Sequence, residues 1–253
     1  MAIACYLAMT AAEMRMACQP SAQIAWMACH FSPYGTGLSN LPKALPLGSV
    51  LMVNDRTPIH GHDPEWIGKQ LRQSVQNLGC RGVLLDFQRP EQKETAALVA
   101  YLVEANAFPM AVSQSYAAEL DCPIFLPPVP LDMGLETYLM PWQGREIWLE
   151  LALDGMEITL TETGAVCKSL EWAAQQSGQQ EEKLHCHYRA AVTEQQAQFH
   201  LWRTKEDLQD LLVEAENLGV AAGVGLYQEL GNFSPKENAS SGTALTQPEE
   251  AGK

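Results

Sequence analysis

The chain has 253 residues, of which 47% are hydrophobic and 18% charged, and its formal net charge is -14. This length suits one α/β barrel of about 250 residues or two smaller domains. The acidic excess argues against a nucleic-acid partner and against anionic membrane surfaces, because both require clustered Lys and Arg.

Apolar segments in the first part of the chain predict buried strands that alternate with helices. The runs IACYLAM and IAWMACHF predict two strands, and residues 49–54 predict a third. Asp63 and Pro64 then form an N-cap signal with a proline at the first helical position. Apolar residues at helical spacing follow, and Gly79 ends this predicted helix.

The same alternation continues toward the C-terminus. Residues 82–87 (GVLLDF) are apolar on both faces, which is typical of a buried parallel strand. A helical pattern around residues 98–103 precedes two short strands at 110–113 and 123–126. Thr204 caps a later helix, Gly219 closes it, and GVAAGVGLY predicts the last strand. Seven or eight strands separated by helices predict an α/β fold, and a closed TIM barrel is favoured over an open sheet.

Two segments interrupt this pattern in the second half of the chain. EIWLELAL-DG-MEITLT alternates with period two around Asp154-Gly155, which is a strong hairpin signal. LHCHYRAAVTEQQAQFHLWR predicts a second hairpin. We therefore expect an irregular TIM (β/α)8-like barrel over residues 1–233, with one or two inserted β-hairpins. Residues 234–253 contain one Leu and no aromatic residue, so we expect a disordered tail there.

The seven cysteines predict a reducing environment. Their number is odd, no pair has CxxC spacing, and several lie inside apolar runs. We expect reduced core thiols in a cytoplasmic protein. The N-terminal segment lacks the basic region of a signal peptide, and no apolar run approaches the roughly 20 residues that span a bilayer.

Polar residues follow the predicted strands and mark a candidate site. In parallel α/β folds the functional site lies at the carboxyl ends of the strands. Asp86, Asp55 and Glu229 are the candidate catalytic carboxyl groups. The candidate ligand-binding residues are Gln88, Arg89, His30, Tyr34, Tyr116 and Gln228.

The strand Gly82-Val83-Leu84-Leu85-Asp86-Phe87-Gln88 resembles the signature strand of glycoside hydrolase family 18, the chitinase-like barrels. The family strand reads glycine, apolar, Asp, apolar, Asp, aromatic, Glu. Asp86 falls on the second Asp, Gln88 on the catalytic Glu, and Leu84 on the first Asp. The resemblance implies a TIM barrel with a carbohydrate-like ligand. A generic buried strand with an accidental match is the alternative.

The departure at Gln88 bears directly on catalysis. In the family, the Glu protonates the glycosidic oxygen while the neighbouring Asp orients the substrate's acetamido nucleophile. An amide has no such proton to give, so the family mechanism is unavailable if the alignment holds. The protein would then be degenerate, or would use Asp86, Asp55 or Glu229 as acid and base. Asp86 and Gln88 still alternate onto one face of a strand and would hydrogen-bond sugar hydroxyls.

Two other classes of function stay open at this point. His60 and His62 form an HxH pair after a strand, which would suit a metal-dependent hydrolase of the amidohydrolase type. A non-catalytic interaction scaffold is the third reading. The sugar-binding reading requires neither a metal nor a cofactor, and Tyr34 and Tyr116 would supply rings for stacking if they are exposed.

Overall fold

The computed structural model describes residues 3–16, 23–33, 37–57, 59, 61–170, 177–231 and 233. Tyr34, His60, Cys18 and the predicted tail at 234–253 lie outside the described residues.

The strands are β1 (Ala4–Met9), β2 (Gln23–Phe31), β3 (Leu38–Ser39), β4 (Val50–Asn54), β5 (Gly82–Asp86), β6 (Met110–Ser113), β7 (Ile124–Leu126), β8 (Ile147–Leu151), β9 (Gly155–Thr161), β10 (Gly164–Leu170), β11 (Gln179–Glu181), β12 (Cys186–Val192), β13 (Gln196–Trp202) and β14 (Ala222–Leu226).

Eight parallel strands close into a barrel, as the sequence predicts. Their order is β1-β14-β8-β7-β6-β5-β4-β2, and pairing between β1 and β2 completes the ring. The short strand β3 lies antiparallel on β2. The fold is therefore an α/β TIM-like barrel, and the fold-class prediction is confirmed.

The helices are unequal in length, which makes the barrel irregular. They are α1 (Ala11–Met16), α2 (Pro64–Leu78), α3 (Lys93–Ala105), α4 (Gln114–Ala117), α5 (Leu135–Leu139), α6 (Lys205–Asn217) and α7 (Tyr227–Leu230). The caps of α2 form as predicted: the Asp63 side chain accepts from the first-turn N–H groups, and Gly79 adopts the left-handed conformation at φ 64°. Thr204 and Asp207 form a reciprocal capping box at α6.

Alternating side chains along each barrel strand divide the core in two. One set faces the helices and forms the larger apolar cluster, including Leu85 and Leu149. The other set points into the barrel, where Leu84, Phe125 and Trp148 are buried. The ring of Trp148 stacks on Tyr6 with centroids 5.6 Å apart, which fills the barrel interior with side chains.

The predicted hairpin around Asp154-Gly155 is wrong. Strand β8 pairs in parallel with β7 and β14, so it belongs to the barrel, whereas β9 pairs with β10 and β13. Strands β9 to β13 form a separate antiparallel sheet inserted between β8 and α6. The second predicted hairpin is present as β12 and β13. The local DG signal was misleading because long-range parallel pairing takes β8 away from β9.

Six of the seven cysteines lie among the described residues, and Cys5 and Cys80 are half-buried against the larger apolar cluster. Cys29, Cys122 and Cys186 are buried free thiols. For Cys167 the prediction of a core thiol is wrong, because this residue lies exposed on β10 of the inserted sheet. Within the described part of the chain, no helix is long and apolar enough to cross a membrane.

Candidate ligand-binding site

A cavity of about 590 Å³ opens at the carboxyl ends of β5, β6, β7 and β8. Small-molecule sites typically enclose roughly 300–1,000 Å³, so this cavity has the size of a small-molecule site. Its wall combines acidic, amide, hydroxyl and aromatic side chains. The lining residues are Asp86, Phe87, Gln88, Ser113, Gln114, Ser115, Ala118, Phe125, Pro127, Trp142 and Glu150.

Asp86 and Gln88 share one part of this wall. Asp86 is the last residue of β5, on the same face as Leu84, and is 9% exposed. The Gln88 amide Nε2 lies 3.5 and 3.4 Å from the two Asp86 carboxylate oxygens. Burial raises the pKa of Asp86 to about 6, and the nearby Asp55 charge acts in the same direction, against the Gln88 contact. The pair can therefore present both a carboxyl group and an amide to a ligand.

Glu150 is a second acidic residue of the cavity, and sequence reasoning missed it. It lies on β8, two residues after the interior-facing Trp148, and pairs in register with the interior-facing Val224. Burial raises its pKa to about 7, and the charges of Asp86, Asp154 and Glu229 add to that effect. Among the described residues, none forms a hydrogen bond or ion pair with its carboxyl group.

The missed residue has an identifiable cause. The hairpin prediction assigned residues 146–153 to an alternating strand outside the barrel, so Glu150 was not among the candidate site residues. The available signal was the apolar run IWLEL, which has five residues, as β4, β5 and β14 do. A charge inside an otherwise apolar parallel strand is a mark of a functional position.

Asp55 supports the loop that carries Gln88. Its Oδ1 accepts from the Gln88 N–H at 3.1 Å, and its Oδ2 accepts from the Arg89 N–H at 2.9 Å. Asp55 is 6% exposed, so both carboxylate oxygens are directed to backbone donors in a buried place. This arrangement suits a positioning role more than proton transfer to a ligand.

Ser113 fixes the end of β5 from the neighbouring strand. Its hydroxyl oxygen accepts from the Phe87 N–H at 2.8 Å and donates to the Leu85 carbonyl at 3.0 Å. These bonds continue the β5–β6 ladder beyond the last paired residues, Leu85 and Val112. The backbone on which Asp86 stands is thereby held rigidly beside the cavity.

Three residues predicted to bind ligand lie away from the described cavity wall. Arg89 is exposed and donates to the Arg56 carbonyl at 2.7 Å. The His30 Nδ1 lies 3.2 Å from the Ala28 carbonyl oxygen. Tyr116 is 7% exposed and its ring packs edge-on against Phe87, so it is a core residue that offers little surface for stacking.

The two candidates on α7 also stand outside the described lining. Gln228 is exposed and hydrogen-bonds the carboxyl group of Glu13. Glu229 is half-buried, and its Oε2 accepts from the Leu153 N–H at 3.1 Å. Glu229 acts on the cavity through its charge, which helps to raise the pKa of Glu150.

The metal-site prediction is not tested by the structure, since His60 lies outside the described residues. The ring of His62 packs edge-on against Phe31 with centroids 5.2 Å apart. No group of three or more His, Cys, Asp or Glu residues suited to a metal ion occurs in the described ranges.

A closed eight-stranded barrel with a cavity at the strand ends is a TIM barrel. Solved structures of chitinase-like and glycoside hydrolase family 18 proteins share this fold. A chitinase-like agglutinin from Robinia pseudoacacia superposes with a TM-score of 0.56 at 9% identity, over 87% of this chain and 93% of that one. A family 18 N-acetylglucosaminidase from Paenibacillus barengoltzii has a TM-score of 0.55 at 10% identity, over 88% and 94%.

A third solved structure is a family 18 chitinase variant from Cycas revoluta in complex with (GlcNAc)4. It has a TM-score of 0.54 at 10% identity and covers 88% of this chain and 94% of that one. No family model matches the sequence, and no curated protein matches it. At these identities the likeness establishes the fold, and the chemistry has to be argued from the cavity.

Proposed function

We propose that the chain binds an oligosaccharide in the cavity at the strand ends. The observation that carries the proposal is that the Asp86–Gln88 pair and the aromatic residues Phe125 and Trp142 line the same cavity. Carboxylate and amide groups hydrogen-bond sugar hydroxyls, and aromatic rings pack against the apolar faces of sugar rings. A structural neighbour of the same fold holds (GlcNAc)4, which supports this class of ligand.

The proposed activity is binding without the family 18 cleavage step. Position 88 carries an amide, which has no proton to transfer to a glycosidic oxygen. Asp55 and Glu229 each accept from backbone N–H groups. Asp86 and Glu150 are the carboxyl groups that line the cavity, so a surviving hydrolysis would use them as acid and base.

Isothermal titration calorimetry with (GlcNAc)4 tests the binding proposal. The wild-type chain should bind, and Trp142→Ala should weaken binding by roughly tenfold because a ring of the wall is removed. Trp66→Ala is the matched control, since Trp66 is 44% exposed on α2 and does not line the described cavity. Equal affinity of both variants, or no heat of binding with the wild-type chain, would contradict the proposal.

Mass spectrometry of the recovered sugar separates binding from turnover. Intact (GlcNAc)4 after prolonged incubation is expected from the amide at position 88. Release of shorter sugars that stops in Glu150→Gln would show that the barrel cleaves its ligand with Glu150, and the non-cleaving part of the proposal would be wrong.

A further inference from the structure

The cavity wall has an unusual balance of charge. Asp86 and Glu150 both line it, while the described lining contains no Lys, Arg or His. They stand on different strands of the barrel, β5 and β8, and are close enough for the Asp86 charge to raise the pKa of Glu150. The aromatic residues Phe125 and Trp142 belong to the same wall and are an independent feature of a ligand site.

The surroundings of these two carboxyl groups are also acidic. Asp154 and Glu229 face Glu150, and Tyr138 lies close enough for the Glu150 charge to raise its pKa. Asp55 faces Asp86. The cation Arg203 interacts with Asp154, but it is 3% exposed and donates to the carbonyl groups of Val129, His185 and Leu184.

A neutral sugar would hydrogen-bond the carboxyl groups of the cavity but would not neutralise their charge. Its hydroxyl groups can donate to carboxylate oxygens, but they leave the negative charge uncompensated in a partly desolvated place. An ammonium group offers three donors and a positive charge, and charge-assisted hydrogen bonds are about twice as strong as neutral ones. An ammonium ion also interacts favourably with the face of a Trp ring.

We propose that the cavity selects an amino sugar with a free, protonated amine, with Glu150 and Asp86 as the residues that determine this specificity. The inference rests on the proposed oligosaccharide function and narrows it. The preferred ligand is a glucosamine oligosaccharide, in which the acetyl group of each GlcNAc unit is absent. The amine sits between the two carboxyl groups while a sugar ring packs on the aromatic wall.

Separate titrations with two matched ligands test the inference. Titration calorimetry at pH 7 and about 0.15 M NaCl compares (GlcN)4 with (GlcNAc)4, at a salt concentration that screens the general -14 charge beyond about 8 Å. We expect (GlcN)4 to bind at least roughly tenfold more tightly. Glu150→Gln should abolish that preference, whereas Glu194→Gln, which removes an equal charge from an exposed turn, should leave it unchanged.

Proton release gives a second readout that a merely structural role of Glu150 would not produce. At pH 5.5 the sugar amine is already protonated, and Asp86 and Glu150 are still largely protonated in the free protein. A bound ammonium group lowers the pKa of both carboxyl groups, so (GlcN)4 should displace protons at this pH and (GlcNAc)4 should not. Titration in two buffers with different ionisation enthalpies measures the number released. If (GlcN)4 still releases protons from both Glu150→Gln and Asp86→Asn, the protons come from another group and the proposed role of these two carboxyl groups is wrong.

The outcomes separate the inference from the proposed function. Tighter binding of (GlcNAc)4 than of (GlcN)4 would overturn the amine preference and leave oligosaccharide binding standing. Absence of binding by both sugars would overturn the two together. Binding of 1,4-diaminobutane as tight as that of (GlcN)4 would show that the cavity takes an amine without needing a sugar ring, and would refute the amino-sugar assignment.

Discussion

Replacing Glu150 with glutamine should stabilise the protein in a strongly pH-dependent way. Burial and the neighbouring carboxylates raise the pKa of Glu150 from an ordinary value of 4.5 to about 7. One pKa unit corresponds to about 1.4 kcal/mol, so ionised Glu150 destabilises the folded state by about 3 kcal/mol relative to the unfolded chain. Glutamine keeps the shape of the side chain and carries no charge at any pH.

The sign of the effect follows from proton binding. Between the unfolded and folded pKa values, the folded state binds more protons than the unfolded state, so wild-type stability falls as pH rises from about 4.5 to 7. Below that window Glu150 is protonated in both states and the variant should match the wild type. Above it, Glu150→Gln should be more stable by about 3 kcal/mol, or on the order of 10 °C in Tm for a domain of this size.

Urea unfolding followed by tryptophan fluorescence at pH 4.5 and pH 8 measures the difference. Glu136→Gln is the matched control, because Glu136 is an exposed residue of α5 and its replacement should leave the free energy of unfolding nearly unchanged at both pH values. If Glu150→Gln and the wild type have equal stability at pH 8, Glu150 is well hydrated and the charge balance inferred for the cavity is incorrect.

Three further substitutions test residues that position or line the candidate site. Ser113→Ala should lower the free energy of unfolding by about 1–3 kcal/mol in urea denaturation, because the backbone groups that its hydroxyl satisfies become unpaired. Asp55→Ala should release the loop of Gln88 and Arg89 and weaken (GlcNAc)4 binding in calorimetry, and unchanged affinity would rule out a positioning role. Gln88→Glu places an ionisable group beside Asp86 and should yield measurable cleavage of a nitrophenyl chitobioside. A variant that is inactive at every pH would count against the alignment of position 88 with the catalytic Glu of the family strand.

The candidate site shows where sequence reasoning succeeds. The strand ending in Asp86 was recognisable because four apolar residues in a row, bounded by Arg81 and Asp86, are typical of a strand that is buried on both faces. Alternation along the chain then places Asp86 and Gln88 on one wall, and both line the cavity. Local rules of this kind need no knowledge of distant contacts.

The surroundings of two other candidate residues depend on distant contacts. Tyr116 follows a strand, as a rim residue would, but packing against Phe87 makes it a core residue. Asp55 is a carboxyl group at a strand end, but its oxygens accept from the loop after the next strand. Neither partner could be chosen from the sequence, because many polar groups compete for each donor and only the folded backbone decides which meet.

The sequence by itself determined seven of the eight barrel strands, the caps of α2 and α6, and the position of Asp86 at the end of β5, since each depends on residues a few places apart. Only the tertiary structure decided that β8 pairs with β7 and β14 instead of turning back on β9. That pairing carries Glu150 into the barrel, where loss of water raises its pKa to about 7. The physical reason is that a side chain becomes buried only when all eight strands close around it, and the sequence of one strand does not specify that closure.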